Sequence, residues 1–171
     1  MAFNVKGEDL TPGDVEKIQA EIDHRKLELR PKLIEEVKEA RAQGDLSENF
    51  EYYAAKKAKN ENESRIGYLE RMLKFANVIS EDSAADEVGM NNFVTVEFLE
   101  DGEKEKIKIV TSIRGDSLKN YISIESPFGK ALLGHKVGDV CKVNIPGGGY
   151  EVKILEIDKS SDDSEDKLKS F

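Results

Sequence analysis

Residues 40–53 read ARAQGDLSENFEYY and join two long segments that both have the apolar periodicity of amphipathic helices. Gly44 suits the left-handed backbone that ends many helices. Asp45 or Ser47 can cap the next helix by accepting hydrogen bonds from its free backbone amides. Because only a few residues are available to reverse the chain, this stretch predicts the bend of an antiparallel helical hairpin.

The bend carries more acidic side chains than capping requires. Asp45 and Glu48 are three residues apart and therefore lie close together at the start of the returning helix. One interpretation is structural, since the helix dipole favours acidic side chains in a first turn. The other is chemical. The convex end of a hairpin has no walls, so two carboxylates there could supply only part of a magnesium site, and a partner would supply the rest.

The first helical segment opens with Thr11 and Pro12, which suit the N-cap and the first helical position. Apolar residues then recur at steps of three, four and seven residues as far as Ala40. Pro31 lies within this pattern. Because the pattern continues on both sides of it, we expect the proline to bend the helix rather than end it.

The returning helix is predicted over roughly residues 48–77. Its apolar seam is expected to pass through Phe50 and either Tyr53 or Ala54 before it reaches larger apolar residues near the other end. The middle of this segment, residues 56–64, is almost wholly polar. Two helices that pack only on each other bury little area, so we expect a second domain.

The second half of the chain has the period-two alternation that is typical of β-strands. Residues 146–149, PGGG, separate the last two strands and favour a tight antiparallel hairpin. Ser126 and Gly134 bracket a short helix as its cap and its terminator. The pattern predicts a small antiparallel sheet that packs on one short helix.

We therefore predict an α+β fold with four segments. These are an N-terminal antiparallel α-helical coiled-coil hairpin (1–79), a linker (80–92), a small antiparallel β-sheet domain with a short helix (93–158) and a disordered acidic tail (159–171). The linker is assigned from its run of Ser, Glu, Asp and Ala, and the tail from its high content of Ser, Asp and Lys.

Composition and charge exclude several classes of protein. A net charge of −9 provides no overall positive field for nucleic acid, so any such contact must be local. There is neither an apolar run long enough to span a membrane nor a signal peptide, so we expect a cytoplasmic protein. The single cysteine, Cys141, excludes an internal disulfide, and its apolar neighbours predict a buried thiol. Neither His24 nor His135 has a companion at metal-ligand spacing.

The bend resembles a known signature. Residues 44–49, GDLSEN, followed by Glu51-Tyr52 and by AAK at residues 54–56, resemble the tip of the bacterial Gre transcript-cleavage factors, GreA type. Arg30-Pro31 stands where that family has its mid-helix proline.

The second half resembles the same family. Residues 126–134, SPFGKALLG, with VGD at 137–139 and PGG at 146–148, are similar to its FKBP-like C-terminal domain. The joint match of bend, helices and second domain covers nearly the whole chain, which makes it far more specific than any one motif.

This resemblance implies a transcription elongation factor whose partners are RNA polymerase and the 3′ end of the nascent RNA. The coiled coil would enter the secondary channel of the polymerase, and the FKBP-like domain would dock at the channel rim. The factor would not be an enzyme itself, but would stimulate cleavage by the polymerase of the 3′ RNA in backtracked, arrested complexes. It would bind no cofactor stably and would share Mg²⁺ with the polymerase. We expect a monomer that does not associate with membranes.

By position, the resemblance assigns Asp45 and Glu48 as the catalytic and metal-binding acids, which act within the polymerase active site. Arg41 and Lys56 match basic positions that would contact RNA phosphates. Two roles are open for Ser47, namely a contact with polymerase or RNA and a helix cap.

Other residues are assigned to partner contacts. Asn49, Tyr52 and Tyr53 would shape the tip, and a phenol could stack on an RNA base. Ser126, Pro127 and Phe128 are candidates for docking on the polymerase rim. A cap and a core contact of the short helix would explain these three residues equally well.

Two alternatives are weighed against this function. An FKBP-like domain could be a prolyl isomerase or chaperone, which we disfavour because the domain has no tryptophan and only scattered aromatic residues to line a pocket. A factor of this shape could also occupy the channel without promoting cleavage, which we disfavour because both Asp45 and Glu48 are present. Cations near the bend are few, which fits the GreA type better than the GreB type, and residues 160–171 extend beyond the usual end of the family.

Overall fold

The computed structural model describes residues 7–44, 49–160 and 166–170. It divides into two compact units, one built on residues 13–77 and the other on residues 78–170 with the short segment 9–12. The first unit is helical and the second is a curled sheet with one short α-helix, so the α+β class is confirmed.

The helices and strands follow one another along the chain. The helical elements are α1 (Pro12–His24), a π-helical turn (Arg25–Leu29), α2 (Arg30–Ala42), α3 (Phe50–Phe75), two 3₁₀ turns (Ser112–Arg114 and Ser117–Lys119) and α4 (Pro127–Leu132). The strands are β1 (Asp9–Leu10), β2 (Asn77–Val78), β3 (Phe93–Phe98), β4 (Lys104–Val110), β5 (Tyr121–Ser123), β6 (Val140–Ile145) and β7 (Gly148–Asp158). None of the helices in the described part of the chain has the length and apolar character needed to cross a bilayer.

The helical path continues past Pro31, as predicted. The π-helical turn ends immediately before α2, and Pro31 occupies the start of α2. In this turn the Arg30 amide donates to the Arg25 carbonyl, five residues back. A proline has no amide hydrogen and crowds the carbonyl four residues before it, so a wider turn relieves that crowding without ending the helix.

The two arms of the hairpin pack through apolar residues at one end and polar residues in the middle. Ile18 and Ile22 on α1, and Ile66, Leu69 and Met72 on α3, are buried. Between these residues and the bend, the helices contact each other through charged and amide groups, in the part of the returning helix whose sequence is almost wholly polar.

The polar contacts between the arms are specific. Arg25 donates to the Asn62 side-chain oxygen at 2.9 Å, and the Asn62 amide donates to the Arg25 carbonyl at 3.2 Å. Arg30 forms two hydrogen bonds with Glu63, at 2.7 and 2.8 Å. Because each buried polar group has a partner, the arms stay paired without a continuous apolar seam.

Glu21 is an acid of the hairpin that pairs with two arginines. Its carboxylate accepts hydrogen bonds from Arg65 at 2.8 Å and from Arg25 at 3.0 Å. Partial burial opposes ionisation, but the hydrogen bonds and charges of the two guanidinium groups outweigh it and lower the pKa of Glu21. The hydrogen bond from Arg30 likewise lowers the pKa of Glu63.

The predicted seam near the bend is wrong. Phe50 is 86% exposed, and Tyr53 and Ala54 are exposed as well. The buried face of α3 runs from Leu69 and Ile66 through Asn62, and steps of three or four residues carry it on to residues 58, 55 and 52. The polar Asn62 hides this phase from a search for apolar periodicity.

The second unit is built on a mixed five-stranded sheet in the order β5-β4-β3-β7-β6, while β1 and β2 form a two-stranded sheet. The hairpin of β6 and β7 and the pairs of β3 with β4 and β7 are antiparallel, as predicted. The wholly antiparallel sheet is a wrong prediction, because β5 runs parallel to β4. The segment between them holds both 3₁₀ turns and returns the chain to the start of the next strand.

Helix α4 covers the core face of this sheet, with Leu132 fully buried. Val88 and Met90 also belong to the core, so the end of the predicted linker is part of the second unit. Cys141 is buried as predicted, and its burial raises the pKa of the thiol.

The predicted disordered tail differs from the structure over residues 166–170. Asp166 is buried, and its carboxylate lies 2.7 Å from the Lys108 ammonium and 3.3 Å from the Arg114 guanidinium. Two buried cations offset the cost of removing this carboxylate from water. The composition of the tail does not reveal that such partners exist. Residues 161–165 and 171 lie outside the described residues.

The pairing of Glu21 and Glu63 makes the helical unit sensitive to acid. The unfolded reference pKa of both groups is 4.5 and the folded pKa is lower, so their stabilisation is complete above about pH 4.5 and is lost as the pH falls through the folded pKa. We expect the thermal midpoint followed by far-ultraviolet circular dichroism, which reports mainly the helices, to fall with acidification.

The variant Glu21→Gln should have a free energy of unfolding about 1–3 kcal/mol lower at neutral pH, because Arg65 and Arg25 lose their carboxylate partner. Its thermal midpoint should also depend less on pH. The variant Glu16→Gln removes an exposed glutamate from the same helix and serves as the matched control. A pH profile of Glu21→Gln identical to that of the unmodified chain would contradict this account.

Candidate functional site at the hairpin end

The predicted site is described through its flanks. Asp45, Ser47 and Glu48 lie outside the described residues, so their geometry is left unstated. The described part is the end of α2 with residues 43 and 44, then Asn49 and the first turns of α3, and we call it the hairpin end.

Asn49 closes the hairpin end. Its side-chain oxygen accepts a hydrogen bond from the Tyr52 amide at 3.0 Å and so caps α3, while its side-chain amide donates to the Ala40 carbonyl at 2.6 Å. The cap is therefore Asn49 rather than Asp45 or Ser47, because α3 begins two residues later than expected. The carboxamide of Asn49 combines the acceptor that caps one helix with the donor that ties down the other.

Gly44 has the role that its position predicts. Its φ is +118°, in the region that L-residues with a side chain rarely adopt, and it follows the C-cap residue Gln43 of α2. The end of α2 is thus fixed by backbone conformation and the start of α3 by a side chain.

Arg41 and Tyr52 come together across the hairpin end. The guanidinium carbon of Arg41 lies 5.6 Å from the centre of the Tyr52 ring. A hydrogen bond from Arg41, helped by the charges of Lys56 and Lys59, outweighs the effect of burial and lowers the pKa of the Tyr52 phenol. Two predicted RNA-contacting cations therefore act on one predicted partner-binding ring.

Aromatic surface lies beside these cations. The Tyr53 ring packs edge-on against the Tyr52 ring with centroids 5.5 Å apart, and Phe50 extends into solvent. Exposed cations pair with phosphates, and exposed rings stack on unpaired bases, so the hairpin end has the surface chemistry to hold single-stranded nucleic acid. Phe50 was missed as a site residue because it was assigned to the seam.

No metal centre is found among the described residues, none of which group three or more potential ligands. The predicted pair Asp45 and Glu48 lies outside the described residues. Carboxylate oxygens are suitable ligands for Mg²⁺, but two of them fill only part of its shell.

The predicted docking residues of the second unit have clear structural roles. The Ser126 hydroxyl caps α4 by accepting from the Gly129 amide at 3.0 Å, and it donates to the Ser123 carbonyl. The half-buried Phe128 ring lies 6.1 Å from the rings of both Phe98 and Tyr150. The cap and core roles of Ser126 and Phe128 are therefore present, while Pro127 is exposed.

These residues also line a cleft of about 760 Å³. Pro127 and Phe128 share its wall with Tyr121 and Tyr150, and Leu118, 96% exposed, stands at its edge. The aromatic residues of the domain are thus clustered rather than scattered, and the argument made from the sequence against a prolyl isomerase does not hold.

The comparisons with known proteins give the class of the chain. Residues 9–78 match the family model for the N-terminal domain of transcription elongation factors, and residues 81–159 match the model for the C-terminal domain of GreA/GreB elongation factors. The chain therefore belongs to the GreA/GreB family of transcription elongation factors.

Individual relatives point to the GreA branch. The chain is 41% identical over 152 residues to transcription elongation factor GreA of Streptococcus gordonii, covering 88% of this chain and 95% of that one. It is 46% identical over 142 residues to GreA of Limosilactobacillus fermentum, covering 82% and 90%. These identities make it a GreA-type factor.

Similar solved structures come from the same family. GreA factor homolog 1 (Gfh1) of Thermus thermophilus is 29% identical, with 88% of this chain and 98% of that chain covered and a TM-score of 0.41. The elongation factor GreA/GreB of Nitrosomonas europaea is 21% identical, with coverage of 89% and 98% and a TM-score of 0.39.

The two hydrogen bonds of Asn49 can be separated by substitution. Asn49→Asp keeps the oxygen that caps α3 but places a second oxygen against the Ala40 carbonyl, so we expect a loss of about 1–3 kcal/mol in the stability of the helical unit. Chemical denaturation followed by circular dichroism measures this loss.

The control is Asn60→Asp, the same change at an exposed position of α3. Asp is itself a good N-cap, so a loss confined to position 49 is attributed to the missing donor. Equal stabilities of the two variants would mean that the contact with Ala40 contributes nothing.

Proposed function

We propose that this elongation factor inserts its helical hairpin into the secondary channel of RNA polymerase and stimulates cleavage of the 3′ RNA in backtracked, arrested complexes. The observation that carries the proposal is the hairpin end, where acidic residues in the sequence are flanked by exposed cations and aromatic rings on two paired helices. Membership of the GreA/GreB family supports a role in transcription elongation.

The form of the hairpin end supports an assisting role rather than an independent active site. It lies where α2 ends and α3 begins, and its described side chains Arg41, Phe50 and Tyr53 are exposed. An exposed end can neither exclude water nor surround a reacting phosphate. The reacting groups must therefore be enclosed by the partner, which we take to be the polymerase.

Asp45 and Glu48 are proposed to complete that enclosed site. Their carboxylates would be partial ligands of a Mg²⁺ ion shared with the polymerase, which when bound would activate the attacking water and stabilise charge on the phosphate. Asn49 supports this role because it ties the start of α3 to the end of α2, and it follows Glu48 immediately in the sequence.

Arg41 and Lys56 are proposed to hold the phosphates of the extruded RNA. The Arg41 guanidinium and the Tyr52 ring contact each other and hold each other in place. The two side chains therefore form one surface instead of moving independently. Phe50 and Tyr53 offer rings on which an unpaired base could stack. On the second unit, the exposed Pro127 and the neighbouring Phe128 would dock at the rim of the channel.

The acidic pair can be tested by conservative changes. Asp45→Asn and Glu48→Gln remove charge with almost no change in shape, and each should lower the rate of RNA cleavage in stalled, backtracked complexes by roughly 100-fold. Affinity for the polymerase, measured in parallel, should change less than about twofold, because the acids act on the reaction and not on docking.

Glu51→Gln removes an exposed acid one turn further along α3 and is the matched control. Unchanged cleavage by both test variants would remove the metal role. If the unmodified factor binds the polymerase without any cleavage, the alternative of a channel-occupying inhibitor would be favoured.

Phe50 tests the base-stacking part of the proposal. Because the ring is exposed, Phe50→Ala should leave the unfolding midpoint unchanged, while loss of one stacked base should reduce cleavage efficiency roughly tenfold. Phe50→Trp should retain activity. Phe75→Ala removes a half-exposed ring at the opposite end of the same helix and should have no effect on cleavage. Equal activities of Phe50→Ala and Phe75→Ala would reject stacking.

A further inference from the structure

The C-terminal segment, residues 166–170, is seated on the second unit. The Asp166 carboxylate contacts the Lys108 ammonium at 2.7 Å and the Arg114 guanidinium at 3.3 Å, and all three side chains are at most 1% exposed. Three residues later, the Lys169 amide donates to the Ile113 carbonyl at 2.6 Å. A side chain and the backbone thus hold the segment at two separate points.

The position of Lys108 explains why an acid is needed there. It lies on β4 between Ile107 and Ile109, and its ammonium is 5.4 Å from the Phe93 ring and 5.1 Å from the Tyr121 ring. Two rings and a second cation surround this charge without neutralising it. Burying cations is costly unless an anion accompanies them, so the site selects a carboxylate.

The same segment forms part of the wall of the cleft in the second unit. Residues 167–170 line this cleft of about 760 Å³ together with Pro127 and Phe128, the proposed docking residues. Leu168 is half-buried, whereas Lys167 is exposed. The segment is therefore anchored by one buried carboxylate, and two residues further on it adds one half-buried apolar side chain to the wall of a cleft that the proposed function needs for a partner.

We propose that residues 166–170 are an intramolecular competitor that narrows this cleft and must move away before the cleft docks on RNA polymerase. This inference rests on the proposed function. The matched family domains end at residue 159, so the competitor lies outside the part of the chain that the family models describe. It would act on docking alone and leave the hairpin end unchanged.

The competition has a defined energetic form. If only a fraction of molecules has the cleft open, the apparent dissociation constant for the polymerase is the intrinsic constant divided by that fraction. A cleft that is closed in roughly 80–90% of molecules would weaken binding about five- to tenfold. Releasing the segment should recover this factor, and cleavage by the bound complex should proceed at its usual rate.

The test uses the full chain and two variants that release the segment by different means. Asp166→Asn removes the anchoring charge, and Leu168→Ser removes the apolar contact without touching the buried cations, so it remains informative if Asp166→Asn fails to fold. Lys167→Ala alters an exposed neighbour and is the control. Hydrogen exchange of residues 166–170 measures docking, and binding to purified core polymerase measures competition.

We expect slow exchange of this segment in the unmodified chain and in Lys167→Ala, and exchange at least tenfold faster in both releasing variants. Their apparent dissociation constants for the polymerase should fall about five- to tenfold. A synthetic peptide of residues 160–171, added to Leu168→Ser, should weaken binding again, whereas the same peptide with Asp166→Asn should not.

Three outcomes would overturn the inference. Fast exchange of the segment in the unmodified chain would show that it is not docked. If exchange is faster in the releasing variants but their affinity for the polymerase is unchanged, the competition is rejected while the proposed function is unaffected. Failure of every variant to bind the polymerase would overturn the proposed function and the competition together, which distinguishes it from the second outcome.

Discussion

Asn62 and Arg25 exchange hydrogen bonds at a level of the hairpin where two packed helices would ordinarily place apolar side chains. An amide or a guanidinium removed from water must keep its partners, and such groups accept far fewer arrangements than methyl groups do. The polar contacts of Arg25 and Arg30 therefore fix the relative register of the arms, which an apolar seam of small residues would leave less defined. The position of the hairpin end depends on this register.

The same constraint acts in the second unit through a different set of residues. Lys108 can be buried in a sheet of apolar strands only because Asp166, far away in sequence, brings a negative charge to it. In the hairpin the paired groups come from neighbouring elements of one unit, and they make it rigid. In the second unit one member of the pair comes from the C-terminal segment, and the proposed competition requires this contact to be reversible.

Local signals made much of this fold predictable. Gly44, Ser126 and residues 146–149 ended or turned the chain as their backbone preferences require, and the period of the apolar residues separated the helical half from the strands. Helix α3 was harder. Its buried face passes through the polar Asn62, so apolar periodicity alone does not locate that face beyond Ile66. Phe50 was therefore wrongly assigned to the buried face. The parallel pairing of β5 could not be predicted because it depends on the path of the intervening 3₁₀ turns rather than on the strand itself.

The candidate site divides in the same way. Arg41, Tyr52 and Lys56 were chosen by resemblance, and the structure brings the first two into contact, but no local pattern reveals that Asn49 ties the two helices together. Its sequence neighbours Asp45 and Ser47 are equally good caps in isolation. The choice depends on where the helix starts and on a carbonyl nine residues away. The cluster of Asp166 with Lys108 and Arg114 gave no local signal in the sequence, because its three charged residues are spread over the second half of the chain.

The π-helical turn at Arg25–Leu29 has a consequence for the direction in which the hairpin end faces. Such a turn accommodates one residue more than an α-helical turn, and each residue of an α-helix advances the azimuth by about 100°. Everything beyond the turn is therefore rotated as a body about the helix axis compared with an uninterrupted helix. The direction in which Arg41 projects from the helix therefore depends on a proline ten residues earlier. A chain without the π-helical turn would still reverse direction, but its hairpin end would face a different way.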